Sequence, residues 1–254
     1  MKVLVTFAVD AEFAPWRKLC GFRRIVFARY AIYEGQTGDS TVRVVLTGMG
    51  GENARRAMRA VLEDQPNVCI SSGLAGGLKP EYRPGAVLAA REVGEVQGGR
   101  VVKSDPELLA VAADCGATTV DCFLASSCVV MTSEDKQRLG QSGDAVDMES
   151  FPVLAAAGGR GIPSVAIRAV ADPVEEDLPL DFSRVVDQQG HVRYLRLIAQ
   201  VAVRPHRLPG LIRLGRESRR AAEKLAGFLD RYIPALANLQ AQREKEMAEE
   251  VAAT

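Results

Sequence analysis

Histidine is almost missing from this chain. Its 254 residues hold only His191 and His206, both in the polar C-terminal third, so a Ser-His or Cys-His couple has little to be built from, and Ser126, Ser127 and Cys128 read as part of a buried strand. Net charge is missing too: Lys+Arg and Asp+Glu are 32 each, which gives no electrostatic reason to expect nucleic acid or another polyanion as partner. Cys-x-x-Cys pairs are absent. The five cysteines, Cys20, Cys69, Cys115, Cys122 and Cys128, are odd in number and widely spaced, as reduced thiols of a cytosolic protein would be. No apolar run reaches the length of about 18 residues that a spanning helix needs. The N-terminal apolar run is interrupted by Asp10 and Glu12, so it reads as a first strand and not as a signal peptide. Neither a metal-ligand cluster nor a Walker-type phosphate loop occurs, and Gly48-Met-Gly-Gly51 only partly matches a dinucleotide fingerprint. No metal and no cofactor are expected.

What is present is a hydrophobic content of 47%, enough for a full core in one domain over residues 1–238, followed by a charged C-terminal tail over 239–254. The pattern is α/β. Strands are expected at 2–9, 31–34, 41–46, 67–72, 86–90, 120–131 and 164–171, and helices at 12–19, 52–63, 106–113, 151–157, 191–203 and 209–236. The 164–171 run is small and β-branched, as a buried parallel strand is. Thr132-Ser-Glu-Asp resembles a helix cap. Pro173 to Arg184 is acidic and carries prolines, which suits a flap over a site.

Chemistry-bearing residues collect where strands end. Glu12 follows the first strand, although an acid there also suits a helix N-terminus on electrostatic grounds alone. Gly48 ends the strand before the second helix, and Gly73 to Gly77 follow the 67–72 run, both allowing backbone to approach a ligand. Met148 and Glu149 open the 151–157 helix, and Asp172, held extended by Pro173, ends the 164–171 strand. The carboxyl edge of such a sheet is where open α/β folds bind ligands. With no histidine base, the available chemistry is carboxylate acid-base work on a neutral polar ligand.

In order and separation, the motifs ending at Glu12, Thr47-Gly-Met-Gly50, Ser72-Gly-Leu-Ala-Gly-Gly-Leu78, Val146-Asp-Met-Glu149 and Arg168-Ala-Val-Ala-Asp172 resemble the nucleoside phosphorylase superfamily, in particular its methylthioadenosine/S-adenosylhomocysteine nucleosidase branch. The resemblance implies a three-layer fold, with a mixed central sheet flanked by helices, and a homodimer. It also implies a purine nucleoside substrate whose N-glycosidic bond is cleaved to release adenine. By the same resemblance Asp172 protonates the purine N7, Glu12 positions or deprotonates water, Glu149 holds the ribose hydroxyls, Met148 packs on the ribose, and backbone near Val129 and Val130 meets the base. Gly48 and Gly73 belong to the substrate-binding turns.

This chain departs from that branch at Ala171, where serine is usual, at Leu74, where a small hydroxyl residue is usual, and at Asp147, where glutamate is usual. The departures are similar to the hopanoid biosynthesis-associated (adenosylhopane) nucleosidases, as is the run Arg204-Pro-His-Arg-Leu-Pro-Gly-Leu-Ile-Arg-Leu214. A methylthioadenosine/S-adenosylhomocysteine nucleosidase, a phosphate-dependent purine nucleoside phosphorylase using Arg55, Arg56 or Arg168 for the anion, and a non-catalytic nucleoside-binding protein stay open as alternatives. Between Arg193 and Arg220 eight arginines and one acid are interleaved with leucines and isoleucines. That pattern fits either surface helices with an apolar face on the core or a cationic segment at the inner face of the membrane of a cytoplasmic protein.

Overall fold

A computed structural model describes residues 1–27, 30–179 and 208–252. β1 (Lys2–Phe7) leads into α1 (Asp10–Cys20), a meander of β2 (Arg23–Phe27), β3 (Tyr30–Thr37) and β4 (Ser40–Leu46), and then α2 (Gly51–Val61). β5 (Val68–Gly77), β6 (Val87–Glu95), β7 (Val101–Lys103), α3 (Pro106–Asp114) and β8 (Thr118–Ala125) come next. The chain then forms α4 (Ser133–Leu139), β9 (Ala145–Asp147), α5 (Ser150–Gly158), β10 (Ser164–Asp172) and α6 (Leu208–Ala252).

β5 is the strand on which the sheet turns. It pairs in parallel with β1 on one side and β10 on the other, and its last two residues pair antiparallel with β9, Gly76 opposite Val146 and Gly77 opposite Ala145. Beyond β1 the sheet continues through β4, β3 and β2. Beyond β10 it runs through β6, β8 and β9 and so returns to β5, closing half of the sheet on itself.

Period-two alternation sorts each strand's side chains between two apolar layers. Val3, Val5 and Phe7 face α1, α3 and α6, where Phe13, Trp16, Leu108, Phe228 and Leu229 are buried. Leu4 and Val45 face α2 and α5, with Ala57, Met58, Phe151 and Leu154. The fold is therefore the expected three-layer α/β arrangement with a mixed central sheet.

Several expectations need correction. Gly73 to Gly77 do not follow a strand; they are the second half of β5. The strand expected at 120–131 ends at Ala125, and Ser127 and Cys128 are exposed in the loop beyond it. The strand ends do not all point one way, because β6, β8 and β9 run against β5 and β10. β2 escaped notice because Arg23 and Arg24 break the apolar alternation of a short edge strand. The last helix does not stop near Leu236 but continues through Ala252; among its described side chains Leu236 is the last that is buried. The helix expected at 191–203 lies outside the described residues, as do residues 180–184 of the acidic segment. Among the described residues no helix is long and apolar enough to cross a membrane.

Because α6 is anchored by its middle, truncations along it should differ sharply. Leu229 is fully buried whereas Leu208 is 43% exposed. Leu229→Ala is expected to cost about 2–5 kcal/mol in urea denaturation, and Leu208→Ala no more than about 0.5 kcal/mol.

Candidate active site

Glu12 occupies the third position of α1, from which a glutamate reaches back to the amides that open its own helix. Its Oε2 accepts from the amides of Ala8 at 2.9 Å and Val9 at 3.3 Å, and its Oε1 accepts from the amide of Leu74 at 3.0 Å. The carboxylate thus fastens the start of α1 to β5. Gly73 makes room for it: a Cβ there would stand 3.2 Å from Oε1 and 3.3 Å from Oε2, at a φ of +148°. Burial raises the carboxyl's pKa above its usual value, against the opposing pull of the Leu74 amide, the Arg168 guanidinium and the two N-terminal amides.

Glu149 stands between β9 and α5 and accepts from the amide of Gly50, the residue that precedes α2. Burial, reinforced by the neighbouring Asp147, pushes Glu149 up to about 8. Asp147 is taken up by other partners. It accepts from the Ser150 amide and hydroxyl and pairs at 2.5 Å with Arg168. Arg168 is 1% exposed and also donates to Ser71 Oγ and the Ile167 carbonyl. It therefore cannot serve as the anion-binding arginine it was among the candidates for; Arg55 and Arg56 pair with Glu52 on the outer side of α2.

Asp172 ends β10 just after a register shift against β5. Gly76 is the second glycine that clears space for an acid, since a Cβ there would lie 3.3 Å from Asp172 Oδ2 and from Val146 Cγ1. Lys136 of α4, wholly buried, meets Oδ2 at 2.5 Å. Burial raises the Asp172 pKa, Lys136 opposes the rise, and Glu176 adds to it.

Glu12, Glu149 and Asp172 line one cavity together with Met148, Val129 and Val130, so six of the eight residues expected at the site are brought together there. Gly48 and Gly73 are not on its wall. The Gly48 amide is spent on the Ala8 carbonyl and Gly73 lies under Glu12, so their neighbours Met49 and Leu74 line the cavity instead. Leu178 from the segment after β10, and Leu214 and Ser218 from α6, complete the described wall. Leu178 lies in the segment expected as a flap over the site, whereas sequence reading missed Leu214, Ser218 and Lys136 as site residues. Nothing in Ser133-Glu-Asp-Lys-Gln-Arg-Leu139 marks its lysine as buried; the heptapeptide reads as a solvated helix. Among the described lining residues there is neither a lysine nor an arginine, nor an aromatic ring, and no group of three or more metal-ligating side chains occurs among the described residues.

A closed mixed sheet with carboxyl groups gathered at the end of its glycine-bearing strand defines the class of α/β fold, and the Phosphorylase superfamily model matches residues 3–201. The chain belongs to that superfamily. A 5'-methylthioadenosine/S-adenosylhomocysteine nucleosidase of Exiguobacterium sp. is 25% identical over 185 residues, covering 63% of this chain and 79% of that protein. Two solved structures share the fold. Futalosine hydrolase of Helicobacter pylori has a TM-score of 0.71 at 15% identity and covers 92% of this chain and 97% of its own. The 5'-methylthioadenosine/S-adenosylhomocysteine nucleosidase of Neisseria meningitidis, in complex with methylthio-immucillin-A, has a TM-score of 0.71 at 20% identity, covering 92% and 99%.

Raised carboxyl pKa values at the site carry a stability signature. Between the ordinary 4.5 of a glutamate and about 8, the folded chain keeps a proton on Glu149 that the unfolded chain has released, so stability falls as pH rises through that window and is level above it. Glu149→Gln should match wild type in urea denaturation at pH 5 and exceed it at pH 8. Equal differences at the two pH values would sink the assignment.

Proposed function

We propose that the chain is a purine nucleosidase that hydrolyses the N-glycosidic bond of a 5'-substituted adenosine, with adenosylhopane as the substrate. The observation that carries the hydrolytic reading is the make-up of the described cavity wall: four carboxyl groups, of which Asp147 is paired with Arg168 behind it, and no lining lysine or arginine. A phosphate dianion entering there would find no lining cation to bind it, whereas water needs only a base.

In this reading Asp172 gives its proton to N7 of the purine as the bond from C1′ to N9 breaks and its electron pair passes to the base. Neutral adenine leaves. The ribose becomes oxocarbenium-like, and the ionised carboxyl of Glu12 takes a proton from the water that attacks C1′, in the manner of paired glycosidase carboxylates. Glu149 faces the ribose hydroxyls and Met148 its ring. Val129 and Val130 supply backbone for the base, and aliphatic side chains take the place of a stacking ring.

The 5′ specificity rests on the mouth of the cavity. Leu74 stands where the methylthioadenosine-cleaving relatives usually carry a small hydroxyl residue, and Leu178 and Leu214 add two more apolar side chains. Further along the same helix Leu208 and Ile212 are 43% and 47% exposed, which suits a bulky apolar tail emerging along α6. A methylthioadenosine/S-adenosylhomocysteine nucleosidase, as the Exiguobacterium relative is named, is the competing reading.

Adenine release from adenosines bearing a long apolar 5′ group, and from methylthioadenosine, separates the two. The expected result is preference for the apolar group with no stimulation by phosphate; a phosphate requirement overturns the hydrolase. Asp172→Asn should lower kcat by about 10²–10⁴-fold with KM within a few-fold, and activity near wild type removes Asp172 from the role of acid.

Such a substrate resides in a membrane, and contact of this cytoplasmic enzyme with the bilayer's inner face is part of the proposal. Arg193 to Arg207 lie outside the described residues, while Leu208, Leu211, Ile212 and Arg213 form the start of α6. Basic residues near an anionic surface contribute about 1 kcal/mol each. Co-sedimentation with anionic vesicles should therefore occur at low salt and be lost on changing Arg204, Arg207 and Arg213 to Glu. A wild type that stays in the supernatant rules the contact out.

A further inference from the structure

Lys136 is a buried cation for which the chemistry above has found no task. It is 0% exposed, in a heptapeptide helix otherwise made of surface residues. All three of its ammonium hydrogens have partners, and all three partners belong to one stretch of chain: Asp172 Oδ2 at 2.5 Å, the Pro173 carbonyl at 2.9 Å and the Glu176 carbonyl at 2.8 Å. A lysine that merely filled space would not need such convergence, and an isolated buried ammonium is costly. The helix that carries it is itself pinned. Thr132 caps α4 by accepting from the Asp135 amide, and the Ser133 amide donates to Asp177 Oδ1 at 2.7 Å, on the same stretch. The Leu178 amide donates to the Met131 carbonyl, and Glu176 pairs with Arg213 of α6.

We propose that Lys136 is the positioning residue of Asp172: its ammonium fixes Oδ2 to the strap 173–178 and leaves Oδ1, which accepts no hydrogen bond from a described residue, as the oxygen that meets the substrate. The inference deepens the nucleosidase reading and rests on it for the identity of the acid. Its consequence is chemical as well as geometric. When Asp172 gives up its proton, the carboxylate that forms lies against a cation already in place, so charge developing on the acid needs no reorganisation. The same strap delivers Leu178 to the cavity wall, so one lysine sets the orientation of the acid and the position of an apolar contact.

Other charged groups bear on Asp172 and must be kept constant. Glu176 and its partner Arg213 stand on the strap and α6, Asp135 and Asp177 at the start of α4, and Glu12 and Glu149 on the cavity wall. β5 meets Asp172 through Gly76, which carries no charge.

The test is Lys136→Met, with Lys136→Gln as a companion that can still donate to the two carbonyls. Without the ammonium, Asp172 holds its proton more tightly. The alkaline limb of kcat, where Asp172 ionises, should therefore move up by about 1–3 pH units, while the plateau falls about 10²-fold and KM stays within a few-fold. In the Asp172→Asn background, Lys136→Met should cost almost nothing further, because its partner is already gone. A full second loss in that background, or a lower Tm and raised KM with the limb unmoved, overturns the proposal in favour of a purely structural lysine. Carboxyl-carbon NMR, with the Asp172 signal assigned by its absence in Asp172→Asn, follows the same titration without turnover. If wild type releases no adenine, the nucleosidase reading fails, and the NMR titration of Lys136→Gln still decides whether the lysine governs Asp172.

Discussion

Like charges do not share a dry cavity without compensation, and this constraint organises the site. Glu12, Glu149 and Asp172 all have pKa values raised by burial, yet each meets a different offset. Glu12 is held by three backbone amides, Glu149 by one, and Asp172 by a lysine. Asp147, the fourth acid nearby, is withdrawn into a pair with Arg168 and Ser150. Amides hold a carboxylate without adding charge to the cavity, so Glu12 is the acid best suited to stay ionised there. A protonated carboxyl can instead tolerate the apolar surroundings that make ionisation expensive.

The geometry that permits this arrangement comes from β5. A sheet that closes on itself brings β9 and β10 onto the same ten-residue strand, and the crowding is relieved by glycines at the two places where a carboxylate must come close. Gly73 lies under Glu12 and Gly76 under Asp172. Their role is clearance for side chains. The amide that reaches the site belongs to Leu74, and the wall itself to Leu74, Ala75 and Gly76.

This explains what could be read from the chain alone. The acids at 12, 149 and 172 follow strands at the opening of a helix or before a proline, so local rules place them at element ends; the apolar side of 52–63 marks a helix buried on one face, and the continuous small, β-branched run of 164–171 marks a strand buried on both. The closure of the sheet is a tertiary event with no local signature, so β5 reads as ending at Ser72 and nothing local shows that β9 pairs antiparallel with its last residues. Lys136 was invisible for a related reason. Its burial is created by a strap forty residues further along, and a lysine in a polar helix has the sequence statistics of a solvated one. Arg168 failed in the opposite sense: an arginine beside an acid-rich motif suggests an anion site, but a strand interior buries it against Asp147.

Proton traffic sets the last requirement on the site. Each proposed turnover takes a proton from Asp172 and adds one to Glu12, so productive binding needs Asp172 protonated and Glu12 ionised while both face the same cavity. The two are not independent, since carboxyls close enough to interact titrate as a set and not one by one. Lys136 makes ionised Asp172 easier to reach, and the Glu12 amides make protonated Glu12 easier to lose; both lower the cost of the charge state that follows reaction or precedes it. Had Lys136 alone set Asp172, its pull would have left the acid ionised at neutral pH and unable to donate. Burial and the Glu176 carboxylate act against it, so the acid's pKa lies above the ordinary aspartate value while its conjugate base is still supported.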